Sequence, residues 1–123
     1  FQNTLNNMPT PTAGSTITGK QAVVTDSYLS SDEKTWYRIW SDGFKECGGS
    51  YVNSTFQDTF ITITLTFPIT INTILFANCN SVINQQFDSN YFGFIKTLTS
   101  TNITTAIYAG SNINPVLWYV CGY

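Results

Sequence analysis

The side chains able to do covalent chemistry are few in this 123-residue chain. There is no histidine, so the commonest general base and metal ligand is missing. A serine nucleophile would need Lys20, Lys34, Lys45 or Lys96 buried beside it, and no motif points to one. Glycoside cleavage needs two carboxylates roughly 5–10 Å apart across a sugar. Beyond Glu46 only Asp58 and Asp88 are acidic, and they face each other only by an accident of folding. Asp32 and Glu33 are neighbours in a loop, where solvated charge is the ordinary state. Asp58 or Asp88 with asparagine oxygens would be the one oxygen-ligand set for a metal, and no calcium-loop pattern accompanies them. Cys47, Cys79 and Cys121 are odd in number and lack CxxC spacing, which rules out a four-ligand Cys/His zinc site within one chain. They read as small buried thiols of a reducing compartment, with a Cys47–Cys121 or Cys79–Cys121 bridge as the alternative. The expectation is a protein without enzymatic activity, metal or cofactor.

Binding chemistry is better supplied. A neutral sugar asks for an aromatic face and for amide and hydroxyl groups around it. One segment offers Asn84, Gln85, Gln86, Phe87, Asp88, Asn90 and Tyr91, and another Ser111, Asn112 and Asn114. These same residue types also simply form turns. Trp36, Trp40 and Trp118 suit core or interface anchors better than sugar platforms. Arg38, the only arginine, lies among aromatics with Asp42 and Glu46 nearby. It either bridges subunits or stacks as a surface cation on Trp36 or Trp40.

Composition bounds what can position these groups. The length is that of one domain, and 42% hydrophobic with 15% aromatic residues excludes a disordered chain. Only 10% of residues are charged, against about 25% in an average protein. Thr, Ser, Asn and Gln fill the gap with 47 of the 123 positions. A net charge of −2 with five basic residues leaves no footprint for nucleic acid. No apolar run nears the ~18 residues a membrane helix requires, so no membrane insertion is expected. Eight of the twelve charges fall between Asp26 and Glu46, and only Asp58, Asp88 and Lys96 follow. A surface so poor in charge suggests contact with other subunits or an uncharged ligand, or else a Thr/Asn-coated β surface.

Along the chain, Phe1 to about Gly19 has two prolines and no hydrophobic period, and residues 1–21 read as an extended neck or linker, in a chain expected to be a fragment of a longer one. Residues 22–123 read as short strands: Ala22–Thr25, Thr35–Trp40, Phe44–Cys47 ended by Gly48-Gly49, and Thr59–Phe67. Ile74–Cys79, Tyr91–Thr99 with a bulge at Gly93, Ile103–Ala109 and Val116–Cys121 follow. Ile61, Ile63, Leu65 and Phe67 share one parity of the fourth segment, the mark of a half-buried antiparallel strand. The last segment is apolar on both faces and belongs at the centre of a sheet. Ser41-Asp42-Gly43 supplies a tight turn. Strands recurring with turn signals predict an all-β fold, a compact antiparallel β-sandwich or small barrel.

Three ordered blocks and the C-terminal ending carry a resemblance. Val24-Thr25-Asp26-Ser27-Tyr28 precedes Trp36-Tyr37-Arg38-Ile39-Trp40-Ser41-Asp42-Gly43-Phe44 and Glu46-Cys47-Gly48-Gly49; then come Thr64-Leu65-Thr66-Phe67-Pro68-Ile69 and the ending Trp118-Tyr119-Val120-Cys121-Gly122-Tyr123. Over about Ala22 to Tyr123 this resembles the C-terminal receptor-binding domains of bacteriophage tail-fibre proteins, with Phe44 where that family usually has tryptophan. The resemblance implies a β-sandwich at the distal end of a virion's fibre, made in the bacterial cytoplasm and assembled as a homotrimer. It implies attachment to a host-surface glycan or outer-surface protein without catalysis. Rival readings are a monomeric, lectin-like or adhesin module of a secreted bacterial protein and, less well supported, a fibre-borne glycan hydrolase.

Overall fold

A computed structural model describes residues 21–52, 59–81, 94–108 and 115–123. Eight strands follow in chain order: β1 Val24–Leu29, β2 Thr35–Trp40, β3 Lys45–Val52, β4 Phe60–Thr66, β5 Ile74–Ser81, β6 Phe94–Leu98, β7 Asn102–Tyr108 and β8 Pro115–Gly122. Every strand pairing is antiparallel, and the strands divide into a five-stranded sheet in the order β1-β2-β3-β8-β5 and a three-stranded sheet in the order β4-β7-β6. The all-β sandwich expected from the strand spacing is the fold observed. The neck (residues 1–20 of the expected 1–21) lies outside the described residues.

The interior follows from alternation. Ile63 and Leu65 of β4 pair with Thr105 and Ile103 of β7, and all four are buried. Against them lie Cys47 of β3 and Val116, Trp118 and Val120 of β8, with Phe67 and Ile71 closing one end. Trp118 stacks on Phe67, ring centroids 5.8 Å apart. Thr105 is the one buried polar side chain among the described residues, and its hydroxyl donates to the Phe94 carbonyl at 2.6 Å, so no orphan polar group remains there.

Two hairpins order the sheet edge. Ser41-Asp42-Gly43 connects β2 to β3: Gly43 has φ +87°, and its N–H donates to the Trp40 carbonyl at 2.9 Å. Asp42 Oδ1 accepts from the Phe44 N–H at 3.0 Å. This is a three-residue loop whose last position lies in the left-handed region, where glycine is free of strain. Between β1 and β2, Ser30 and Asp32 fold the backbone back, with Asp32 Oδ1 accepting from Ser30 Oγ at 2.6 Å and from the Lys34 N–H at 3.1 Å. These bonds hold the Asp32 carboxyl below the usual carboxylate range.

Several boundaries differ from the sequence expectation. β1 runs to Leu29 rather than ending at Thr25, with a register shift between Val24 and Asp26. All of its side chains are exposed, so no hydrophobic period marks it. Gly48-Gly49 does not end β3, which continues to Val52. The glycines instead let aromatic rings close over the strand: a Cβ at Gly48 would sit 3.1 Å from the Trp36 ring and 2.7 Å from the Trp118 carbonyl. The described bulge of β6 falls between Ile95 and Thr97, while Gly93 lies outside the described residues. β8 is central, between β3 and β5, yet its second face is open, with Leu117 exposed and Tyr119 half-buried. The three cysteines are buried free thiols rather than a bridge.

Candidate functional site

Cross-strand register assembles one surface from residues far apart in sequence. On the outer face of the five-stranded sheet, Leu29, Trp36, Gly48, Tyr119 and Asn78 stand opposite one another from β1 through β2, β3 and β8 to β5. The next row holds Ser27, Arg38, Glu46, Cys121 and Phe76. Because Gly48 has no side chain, the Trp36 and Tyr119 rings meet above it with centroids 6.1 Å apart, and Phe76 continues the series at 6.2 Å from Tyr119. Phe76 and Leu117 remain about half accessible, at 53% and 48%. Large apolar side chains presented together on one sheet face mark a contact surface more than a solvated one.

The electrostatics of this face are self-contained. Arg38 lies over the Trp36 ring at 5.4 Å and pairs with Glu46 at 3.4 Å. Glu46 also accepts from the Trp40 indole N–H at 3.3 Å. With the arginine side chain 54% exposed, that pair contributes at most about 1 kcal/mol to stability. Its effect is to leave no net charge on the face among the described residues. The Tyr119 hydroxyl is pushed up to about 12, first by burial and then by the Cys121 thiol beside it, so it stays a neutral donor. Tyr37, on the opposite face, donates to Asp26 at 3.1 Å, and that bond raises its own ionisation above the ordinary range.

Two depressions open along the five-stranded sheet, the first at its β1–β2 edge. One of about 370 Å³ is lined by Ser27, Leu29, Trp36 and Arg38 along with Tyr28 and Tyr37. Another, of about 130 Å³, is lined by Asn78, Asn80, Leu117, Trp118 and Tyr119.

The residues singled out in sequence fare differently. Trp36, Arg38, Trp40, Glu46 and Gly48 come together on the outer face. Tyr37 packs against the core, Phe67 and Trp118 lie inside it, and Gly49 lies against the Trp118 indole. Ser41, Asp42 and Gly43 form the turn, and the Ser41 hydroxyl accepts from the Val23 N–H at 3.1 Å. Pro68 follows Phe67 in the connection after β4. Gly122 lies against the Thr73 carbonyl, where a Cβ would not fit, and Tyr123 exchanges backbone bonds with Thr73 at 2.8 and 2.9 Å. The polar residues expected to meet a receptor lie outside the described residues: Asn84, Gln85, Gln86, Phe87, Asp88, Asn90, Tyr91, Ser111, Asn112 and Asn114. Asp58 does too. Sequence reading missed Phe76, Asn78, Asn80 and Leu117. The shared parity of Phe76, Asn78 and Asn80 on β5 was the available signal, cut short because the predicted strand ends at Cys79 and the observed one at Ser81.

No family model matches the chain, and no curated protein matches it. Among solved structures it is similar to the P. aeruginosa R1 pyocin fibre, with TM-score 0.59 and 18% identity over 85% of this chain and 29% of that one. An N-truncated R1-type pyocin tail fibre matches at TM-score 0.58 and 14% identity, covering 81% of this chain and 88% of the other. An N-truncated R2-type pyocin tail fibre matches at 0.56 and 16%, over 82% of this chain and 39% of that one. The chain thus spans well under half of two of these three fibre chains. Its sandwich is a fold shared with R-type pyocin tail fibres, in keeping with the resemblance to phage tail-fibre domains carried by its motifs.

Proposed function

We propose that this chain is a receptor-binding domain of a phage-type tail fibre, attaching its particle to a molecule on the host cell surface. The observation that carries the reading is the agreement of two independent likenesses. The three motif blocks resemble phage tail-fibre domains, and the fold matches R-type pyocin fibres at TM-scores of 0.56 to 0.59. Attachment proceeds by non-covalent contact, consistent with a chain that has no histidine. The receptor is a glycan, because the surface offers aromatic rings, amides and hydroxyls with almost no free charge. Three copies act together at the distal end of the fibre, and their mutual contacts account for a chain with only three charged residues after Glu46.

The test is direct attachment. Labelled chain incubated with a panel of bacterial strains is expected to bind some strains saturably and to block adsorption of particles bearing the same fibre. Absence of binding to every strain would overturn the reading.

A further inference from the structure

We infer that the depression between β5 and β8, on the outer face of the five-stranded sheet, is a subsite for one uncharged sugar residue of the receptor. This rests on the receptor-binding reading and adds to it a place and a charge class. Asn78 stands directly opposite Tyr119, and Asn80 directly opposite Leu117. Two successive cross-strand pairs therefore each set a carboxamide beside an apolar or aromatic neighbour. Both Asn78 and Asn80 are exposed, and among the described residues neither carboxamide makes a side-chain hydrogen bond, which presents their donors and acceptors to a ligand. Phe76, half exposed, extends the apolar floor from Tyr119. A sugar ring has the complementary surface: C–H bonds on a face, hydroxyls around the rim.

Size and charge narrow the ligand. At about 130 Å³ the space equals roughly four water volumes of ~30 Å³ each. It is smaller than the ~300 Å³ at which pockets enclose a whole drug-sized ligand. One ring edge fits, not an extended chain. Neither β5 nor β8 carries a charged residue. The charges on the same face, Arg38 and Glu46, are spent on each other. Among the described residues an acidic sugar finds no free cation there, and a neutral one needs none.

The test compares the full chain with its N78A/N80A double variant. Both substituted side chains are exposed, so folding should be spared. The probes are immobilised neutral bacterial oligosaccharides (hexose, 6-deoxyhexose and N-acetylhexosamine) and acidic ones bearing uronic acid or phosphate, at low and high salt. Whole-cell attachment and molar mass by light scattering run in parallel. The expected result is wild-type binding to a neutral glycan, insensitive to salt. The variant should keep its mass and lose roughly tenfold or more in affinity for that glycan and for cells, as removing two neutral hydrogen-bonding groups implies. If wild type attaches to cells and the variant attaches equally, the subsite is refuted while the attachment role stands. Binding confined to acidic glycans, weakened by salt, refutes the charge class. A variant that falls into smaller species shows the face to be a contact between copies instead. Failure of the wild-type chain to attach to any cell refutes both the role and the subsite.

Discussion

A methyl group added at Gly48 has nowhere to go, since the Trp118 carbonyl would lie 2.7 Å from it and the Trp36 ring 3.1 Å away. Gly48→Ala is therefore expected to cost about 1–3 kcal/mol, the usual range for overpacking, and to part the Trp36 and Tyr119 rings. Urea unfolding with tryptophan fluorescence measures both effects; an unchanged midpoint would show the rings to be loosely held. The thiols make a second residue-level prediction. Burial, with a smaller contribution from Cys121, pushes the Cys47 thiol up to about 12 from an ordinary value of 9.0. Burial and its neighbours likewise raise the Tyr119 hydroxyl from 10.0 to about 12. In both cases the folded state holds its proton longer than the unfolded state does. Their stabilising effect is full below about pH 9 and is lost as pH climbs from 9 towards 12. Urea midpoints should stay level from pH 7 to 9 and fall above that, and alkylation of native Cys47 at pH 8 should be far slower than in urea. At this scale the sequence was informative about residue types and poor about partners. The two glycines after Cys47 looked like a strand end because nothing in the sequence shows that Trp36 and Trp118 cover them from distant strands.

Strands differ in what holds them. β8 lies between β3 and β5 and contributes Val116, Trp118 and Val120 to the core, whereas β1, among the described residues, pairs with β2 alone and buries none of its side chains. Amide exchange should be slowest in β8 and fastest in β1, because opening an exposed edge costs little burial. Equal protection in the two would mean that β1 is covered in solution by something else. Trp118→Ala, which removes the stack on Phe67 from the middle of the sandwich, is expected to cost about 3–5 kcal/mol by urea unfolding. Elements were legible where one face is buried: Ile61 to Phe67 alternate, and β4 lies within one residue of the predicted range. β1 was legible only in its first residues, since a strand exposed along its whole length carries no hydrophobic period. The outer-face site was half legible. Trp36, Arg38 and Trp40 share parity on one strand, but only the order β2-β3-β8-β5 sets them beside Tyr119 and Phe76.

For the whole molecule, surface chemistry is the issue. Between Cys47 and Tyr123 only Asp58, Asp88 and Lys96 are charged, while Phe60 on β4 and Phe94 on β6 are both about half exposed. A lone 13.7 kDa protomer would present these apolar side chains to water, whereas an assembly of copies would cover part of them. Such contacts were visible in the sequence only as missing charge, because pattern reports how much surface is apolar and not what covers it. The most direct measurement is the molar mass of the purified chain by light scattering across a dilution series. A single species of about 41 kDa, three chains of 13.7 kDa, is the predicted result. A species that stays at 13.7 kDa at every concentration would contradict the trimeric account and favour a monomeric lectin-like module.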